Sequence, residues 1–128
     1  MGRKIIISRD APAAIGPYSQ AVWAGDFLYL SGQTPIDPAT RKLVEGGIAE
    51  QTRQAFDNLE AVLGSANLSM DNVIKCNVYL VDMSLFSEMN VVYQSRFDTP
   101  YPARTTVGVR ELPLGALVEI ELVATGRV

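Results

Sequence analysis

Residues 48–66, IAEQTRQAFDNLEAVLGSA, and residues 73–81, VIKCNVYLV, decide the fold class of this chain. The first stretch carries apolar or small residues at spacings of three and four, which puts them on one face of a helix. These residues are Ile48, Thr52, Ala55, Phe56, Leu59, Val62, Leu63 and Ala66. The second stretch reads as a buried strand, with Ile74, Cys76, Val78 and Leu80 on one side. An amphipathic helix followed by a buried strand predicts helices packed against a sheet.

Shorter segments on both sides extend this pattern. Strands are predicted at residues 4–8, 21–24, 27–33, 103–109 and 117–124. A second helix is predicted from an N-cap at Ser84 through Phe97, with Phe86, Met89, Tyr93 and Phe97 on its stripe. Residues 112–115, LPLG, predict a turn that makes the last two strands a hairpin. We expect one α+β domain over residues 1–128, a mostly antiparallel sheet with two helices packed on one face.

The last two predicted strands alternate charged side chains with apolar ones. Arg104 and Thr106 share one face of their strand, and Glu119 and Glu121 share one face of the next. We expect all four on the sheet face that the helices leave open. An arginine fork suits a substrate carboxylate, and a nearby glutamate can handle water and protons. The alternative is a solvated face with salt bridges. In the predicted hairpin, Arg104 lies roughly 13 Å along from the residue opposite Glu119, so the pair could meet across a subunit interface.

Composition argues against several kinds of partner and excludes several kinds of chemistry. The net charge of −3 and the pI of about 4.8 argue against nucleic acid as the main partner, since phosphate binding normally needs a basic patch. There is no histidine, so histidine triads and histidine zinc sites are impossible, and the single cysteine, Cys76, excludes an internal disulfide. No apolar run approaches the roughly 20 residues of a membrane span, and no signal-peptide core is present. We expect a cytoplasmic protein without a membrane partner.

Four motifs, in order along the chain, resemble those of the RidA (YjgF) family of reactive-imine deaminases. They are Gly16-Pro17-Tyr18-Ser19-Gln20-Ala21, Leu30-Ser31-Gly32-Gln33, Pro102-Ala103-Arg104-Thr105-Thr106-Val107 and Val118-Glu119-Ile120-Glu121. The resemblance implies a chorismate-mutase-like fold and a homotrimer with three clefts between subunits. It implies hydrolysis of 2-imino acids, such as 2-iminopropanoate and 2-iminobutanoate, to 2-keto acids and ammonia. No cofactor and no metal is expected.

The resemblance also implies roles for single residues. Arg104 resembles the family's carboxylate-binding arginine, and Glu119 resembles the glutamate that orients or activates water. Tyr18 is a third catalytic candidate. The other candidates for substrate binding are Ser31, Gly32, Asn90 and Thr106. Thr106 stands where many members have a cysteine, so no thiol chemistry is expected at that position.

Other interpretations of these residues stay open. Tyr18 also fits a packed aromatic, Gly32 a strand bulge, and Asn90 a helix residue bonded to its neighbours. Glu121 and Cys76 are interpreted as structural. Two rival functions remain beside imine hydrolysis. One is an endoribonuclease or translation inhibitor, an activity also ascribed to the family, and the other is a ligand-binding or chaperone-like trimer without turnover.

Overall fold

Two α-helices lie on one face of a six-stranded sheet in the computed structural model, which describes residues 2–127. The strands are β1 (Lys4–Ile6), β2 (Ala21–Ala24), β3 (Phe27–Gln33), β4 (Ile36–Asp37), β5 (Lys42–Leu43), β6 (Val73–Leu80), β7 (Ala103–Gly108) and β8 (Val118–Thr125). The helices are α1 (Ile48–Ser65) and α2 (Phe86–Ser95). The α+β class and the mostly antiparallel sheet are therefore confirmed.

The sequence explains where helix α1 begins and where it ends. The Glu50 carboxylate accepts a hydrogen bond of 3.1 Å from the backbone N–H of Gly47, just before the helix. Asn67 adopts a left-handed φ of 59° after its end, and the Leu68 N–H bonds the Leu63 carbonyl. Its apolar stripe is buried against the sheet, together with the aromatic cluster of Phe56, Tyr93 and Phe97.

The strand order is β1-β2-β3-β8-β6-β7, and this order contradicts the predicted terminal hairpin. Strand β8 pairs antiparallel with both β3 and β6, whereas β7 pairs only with β6 and runs parallel to it. Helix α2 connects β6 to β7, and a strand–helix–strand connection naturally leaves its two strands parallel. After the turn at residues 112–115, the chain crosses to the other side of β6 before β8 begins. Strand β7 is therefore an edge strand, and β8 is a central one.

The strand register also shows that the predicted single charged face is wrong. Arg104 is paired with Cys76, and Thr106 with Val78, both of which are fully buried under the helices. Arg104 and Thr106 therefore lie on the helix side of the sheet. Glu119 is paired with Tyr79, and these two residues lie on the open side. The alternation within each strand was predicted correctly, but the two strands present their polar residues to opposite faces.

Three local predictions also differ from the structure. Asp82, not Ser84, caps the turn before α2: its side chain accepts from the Ser84 N–H at 2.9 Å, and the helix begins at Phe86. A register shift between Val73 and Lys75 turns Ile74 out of the core, because the extra residue reverses the parity at the start of β6. Strands β4 and β5 form a short hairpin between β3 and α1, where no strand was predicted.

Candidate functional site

The guanidinium of Arg104 is held by side chains of α2. Its Nη1 donates to Asn90 Oδ1 at 2.6 Å. Its central carbon lies 4.5 Å from the ring centroid of Tyr93 and 5.4 Å from that of Phe86. Within residues 2–127, no carboxylate approaches it within ion-pair distance. The arginine is thus fixed by uncharged groups, and its positive charge has no anionic partner in the described chain.

A cavity of about 480 Å³ opens beside this arginine. It is lined by Asn90, Tyr93, Gln94, Tyr101, Pro102 and Arg104. The side-chain oxygen of Asn90 accepts from the arginine rather than from helix neighbours, and Asn90 lines the same cavity. A planar donor fork at the wall of a cavity is suited to binding a carboxylate through two parallel hydrogen bonds.

Thr106 lies two residues further along β7 on the same side of the sheet as Arg104. Its hydroxyl oxygen is buried and makes no hydrogen bond to any residue from 2 to 127. Because β7 is an edge strand, half of its backbone N–H and C=O groups point away from β6. Backbone groups near Thr106 are therefore open to a ligand or to another chain.

Glu119 lies on the other face, over the bulge in β3. The register between β3 and β8 shifts between Leu30 and Gln33, so Ser31 and Gly32 sit at a bulge. A Cβ atom added at Gly32 would overlap the Glu119 carboxylate. Glycine at this position is therefore what lets the carboxylate lie against the β3 backbone. Gly32 is thus both a bulge residue and a neighbour of Glu119.

Burial is the main cause that raises the pKa of the half-buried Glu119 carboxyl, and the negative charge of Glu121 raises it further. A carboxyl group with a raised pKa holds and releases protons closer to neutral pH than an exposed glutamate does. No ion pair involves this side chain in the described part of the chain. Glu119 is therefore a suitable group to orient water and exchange a proton.

Ser31 ties the motif loop that carries Tyr18 to the end of β3. The Ser31 hydroxyl donates to the Ser19 carbonyl at 2.6 Å, and the Ser31 N–H donates to the Gln20 carbonyl at 2.9 Å. Tyr18 itself is about half exposed, at 51%. The hydroxyl of Ser31 therefore donates within its own chain and holds the loop against the end of β3.

Glu121 has hydrogen-bond partners within its own chain, and Arg104 is not one of them. Its carboxylate accepts a short hydrogen bond from the Tyr79 hydroxyl and a second one of 3.2 Å from the Asn77 amide. The bond to this carboxylate raises the pKa of Tyr79 to about 12. Arg104 lies on the opposite face of the sheet, so neither Glu119 nor Glu121 can pair with it within one chain.

The candidate residues thus form two separate groups. One comprises Asn90, Arg104 and Thr106, on the helix side at the β7 edge. The other comprises Ser31, Gly32 and Glu119 on the open side at β3 and β8, with the Tyr18 loop attached. Strand β6 and the thickness of the sheet separate the two groups. A site that uses both needs groups from two chains.

The sequence interpretation missed Phe86 and Tyr93, which were assigned to the core stripe alone. They precede and follow Asn90 by four and three residues, so all three lie on one face of α2. The signal that could have found them is an amide side chain flanked by two aromatic residues at helical spacing, in a chain whose candidate arginine needs contacts to hold it.

Residues 2–127 contain no cluster of three metal-ligating side chains, and neither described helix is long and apolar enough to cross a membrane.

Comparison with known proteins agrees with the motif resemblance. A family model described as Endoribonuclease L-PSP matches residues 8–126. The chain is 48% identical over 122 residues to the 2-iminobutanoate/2-iminopropanoate deaminase of Bos taurus, covering 95% of this chain and 89% of that one. RidA from an Antarctic Psychrobacter is 44% identical with a TM-score of 0.92, covering 96% and 99% of the two chains. The structure of E. coli TdcF with bound serine is 38% identical with a TM-score of 0.91, covering 95% and 98%. These matches confirm the resemblance, and the chain belongs to the RidA/YjgF family.

Proposed function

We propose that this protein hydrolyses reactive 2-imino acids, such as 2-iminopropanoate and 2-iminobutanoate, to 2-keto acids and ammonia. The observation that carries the proposal is the guanidinium of Arg104, which lines a cavity and has only uncharged partners within residues 2–127. A cation placed in this way is ready for an anionic substrate. A relative named as this deaminase and a relative solved with serine, which also carries a carboxylate, support the choice of substrate.

In the proposed reaction, Arg104 binds the substrate carboxylate and thereby fixes the position of the adjacent C=N group. Glu119 accepts a proton from a water molecule as the water oxygen bonds to the imine carbon. The second bond of the C=N group opens onto the nitrogen, which takes up a proton from solvent. In this proposal, backbone N–H groups of the edge strand β7 near Thr106 donate to that nitrogen and polarise it. Glu119 then gives its proton to the nitrogen of the resulting aminoalcohol as the C–N bond breaks, and the hydroxyl group loses its proton to solvent as it becomes the keto carbonyl. The products are ammonia and the 2-keto acid.

Tyr18 is assigned a supporting role at this step. Its phenol is half exposed on a loop that Ser31 holds against β3, the strand that also carries Gly32 below Glu119. A phenol hydroxyl can donate to and accept from water. We therefore propose that it helps to hold the attacking water.

A single site that combines the two residue groups needs a second subunit, and we propose a homotrimer with a cleft at each interface. Within one chain, Arg104 and Glu119 lie on opposite faces of the sheet. The open face exposes Phe27, Tyr29 and Val107, at 43%, 52% and 41%, beside the bonded pair of Tyr79 and Glu121. Apolar surface rimmed by satisfied polar groups is typical of a subunit interface. One subunit would supply the Arg104 group and its neighbour the Glu119 group.

Coupling the protein to a serine/threonine dehydratase tests the reaction, because the dehydratase releases the imine in place. We expect the added protein to speed the loss of imine absorbance above its spontaneous rate, with matching release of ammonia. Arg104→Lys should remove most of this effect. The control is Arg110→Lys, the same change at an exposed arginine outside the site. No acceleration by the wild-type protein would refute the proposed reaction.

The description of the matching family model favours a second candidate, cleavage of RNA. The acidic composition speaks against tight phosphate binding. RNA binding measured at several salt concentrations separates the candidates: a steep fall of affinity with salt, accompanied by cleavage, would favour the nuclease. Keto-acid binding that depends on Arg104 without any imine turnover would favour a ligand-binding trimer.

A further inference from the structure

The setting of Arg104 carries an inference about two residues of α2. Phe86, Asn90 and Tyr93 follow one another at spacings of four and three, so their side chains form one stripe on the helix. All three touch the same guanidinium, the rings through their faces and Asn90 through its carbonyl oxygen. Two rings and one acceptor restrict the guanidinium in different directions. The aromatic faces limit its tilt, and the hydrogen bond limits its rotation.

These contacts hold the arginine without neutralising it. A carboxylate in their place would bind the guanidinium more tightly, but it would compete with an anionic substrate. A ring face attracts the cation through its quadrupole and leaves the N–H edge free to donate. The hydrogen bond to Asn90 uses Nη1, so the remaining N–H groups stay available in the cavity.

We propose that Phe86 and Tyr93 are positioning residues that hold the Arg104 guanidinium in the orientation that binds a substrate carboxylate. The proposal rests on the proposed role of Arg104 and adds what makes that arginine selective for a planar carboxylate. An exposed arginine side chain samples many rotamers, and binding a ligand would have to freeze them. Rings that fix it beforehand reduce this cost, so they act on ligand affinity rather than on fold.

The Tyr93 ring is itself fixed from below. It packs edge-on against Phe56, with centroids 5.7 Å apart, and against Phe97 at 5.0 Å. Its hydroxyl is buried near the Cys76 thiol and makes no hydrogen bond of good geometry within residues 2–127. The ring, rather than the hydroxyl, is therefore the part that serves Arg104. This distinction predicts that Phe can replace Tyr93.

Phe97 provides a matched control because it belongs to the same aromatic cluster but does not stack on Arg104. The variants are Tyr93→Leu, Tyr93→Phe, Phe86→Leu and Phe97→Leu. The first measurement is the Kd of 2-ketobutyrate and of its uncharged amide. The second is the NMR signal of the Arg104 Nε–H group, which ring currents from Tyr93 and Phe86 shift. Thermal midpoint and solution mass are recorded for every variant.

We expect Tyr93→Leu to weaken 2-ketobutyrate binding by up to about tenfold, because the ligand must then immobilise a freely rotating arginine side chain. Binding of the amide should change by less than about twofold, since it carries no charge for the arginine to hold. The Arg104 signal should move towards that of a free arginine. Tyr93→Phe should behave like the wild type. Phe97→Leu should lower the thermal midpoint but leave both the keto-acid Kd and the Arg104 signal in place.

Equal losses of binding in Tyr93→Leu and Phe97→Leu would overturn the proposal, as would an unchanged Kd in Tyr93→Leu. If Tyr93→Leu does not fold, half-buried Phe86 answers the same question through Phe86→Leu. Wild-type binding of 2-ketobutyrate without imine turnover would refute the proposed reaction and leave the positioning role standing. No wild-type binding of 2-ketobutyrate would refute the positioning role, because Arg104 would then hold no carboxylate, whereas the proposed reaction is judged by the coupled assay alone.

Discussion

Replacing Gly32 by alanine should disable the site while leaving the fold intact. The added Cβ would overlap Glu119 Oε2 and lie 3.0 Å from Cδ and 3.2 Å from Cγ, so the whole carboxyl group must move. Displacing a catalytic group by about 1 Å can cost about 10²-fold in rate. We therefore expect turnover to fall by about that factor.

The stability cost of Gly32→Ala should be small. Gly32 is not among the described residues with positive φ, so alanine meets no backbone strain there. The overlapping atoms belong to the end of a flexible side chain, which can turn away. Replacing glycine also removes unfolded-state entropy, which is worth about 0.4–1 kcal/mol in favour of folding. We expect a change in the free energy of unfolding of less than about 1 kcal/mol.

The assay is the dehydratase-coupled loss of imine, run beside a denaturant titration. Gly64→Ala is the matched control, because its Cβ would enter open space at an exposed position of α1. The free energy of unfolding of that variant should rise by about 0.5–1 kcal/mol, and its turnover should stay at the wild-type level. A folded Gly32→Ala protein with wild-type turnover would show that the position of the Glu119 carboxyl group does not matter, and the assignment of Glu119 would fail.

Four further results are expected. Arg104→Lys keeps the charge but loses the planar fork, so 2-ketobutyrate should bind at least about tenfold more weakly by calorimetry. Glu119→Gln should keep that binding while kcat falls about 10²-fold. The pKa of Glu119 is raised in the folded protein above its ordinary value of 4.5. The wild-type protein should therefore lose stability as the pH rises from 4.5 towards the raised pKa. The thermal midpoint of Glu119→Gln should lack this dependence on pH. Burial raises the pKa of Cys76 to about 11, so a thiol reagent should label it only after unfolding.

The residue types of the site could be found from the sequence, but their arrangement could not. Arg104 and Glu119 stood out as charges alternating with apolar positions, and the motif resemblance singled out Gly32 and Asn90. Alternation only shows that two side chains share a face of their own strand. It carries no information about which face of the sheet that is, because the face depends on the neighbour with which the strand pairs. The contact from Tyr93 to Arg104 likewise joins a helix to a strand beyond the reach of local spacing.

By itself, the sequence determined the α+β class, most of the helix and strand segments, the family and the absence of histidine chemistry. These features depend on local periodicity, on residue type and on motifs that lie within single segments. Only the tertiary structure decided that β6 separates β7 from β8 and that Arg104 and Glu119 occupy opposite faces. The reason is physical: strand pairing is selected by burial and chain connections over the whole domain, and α2 places β7 parallel to β6.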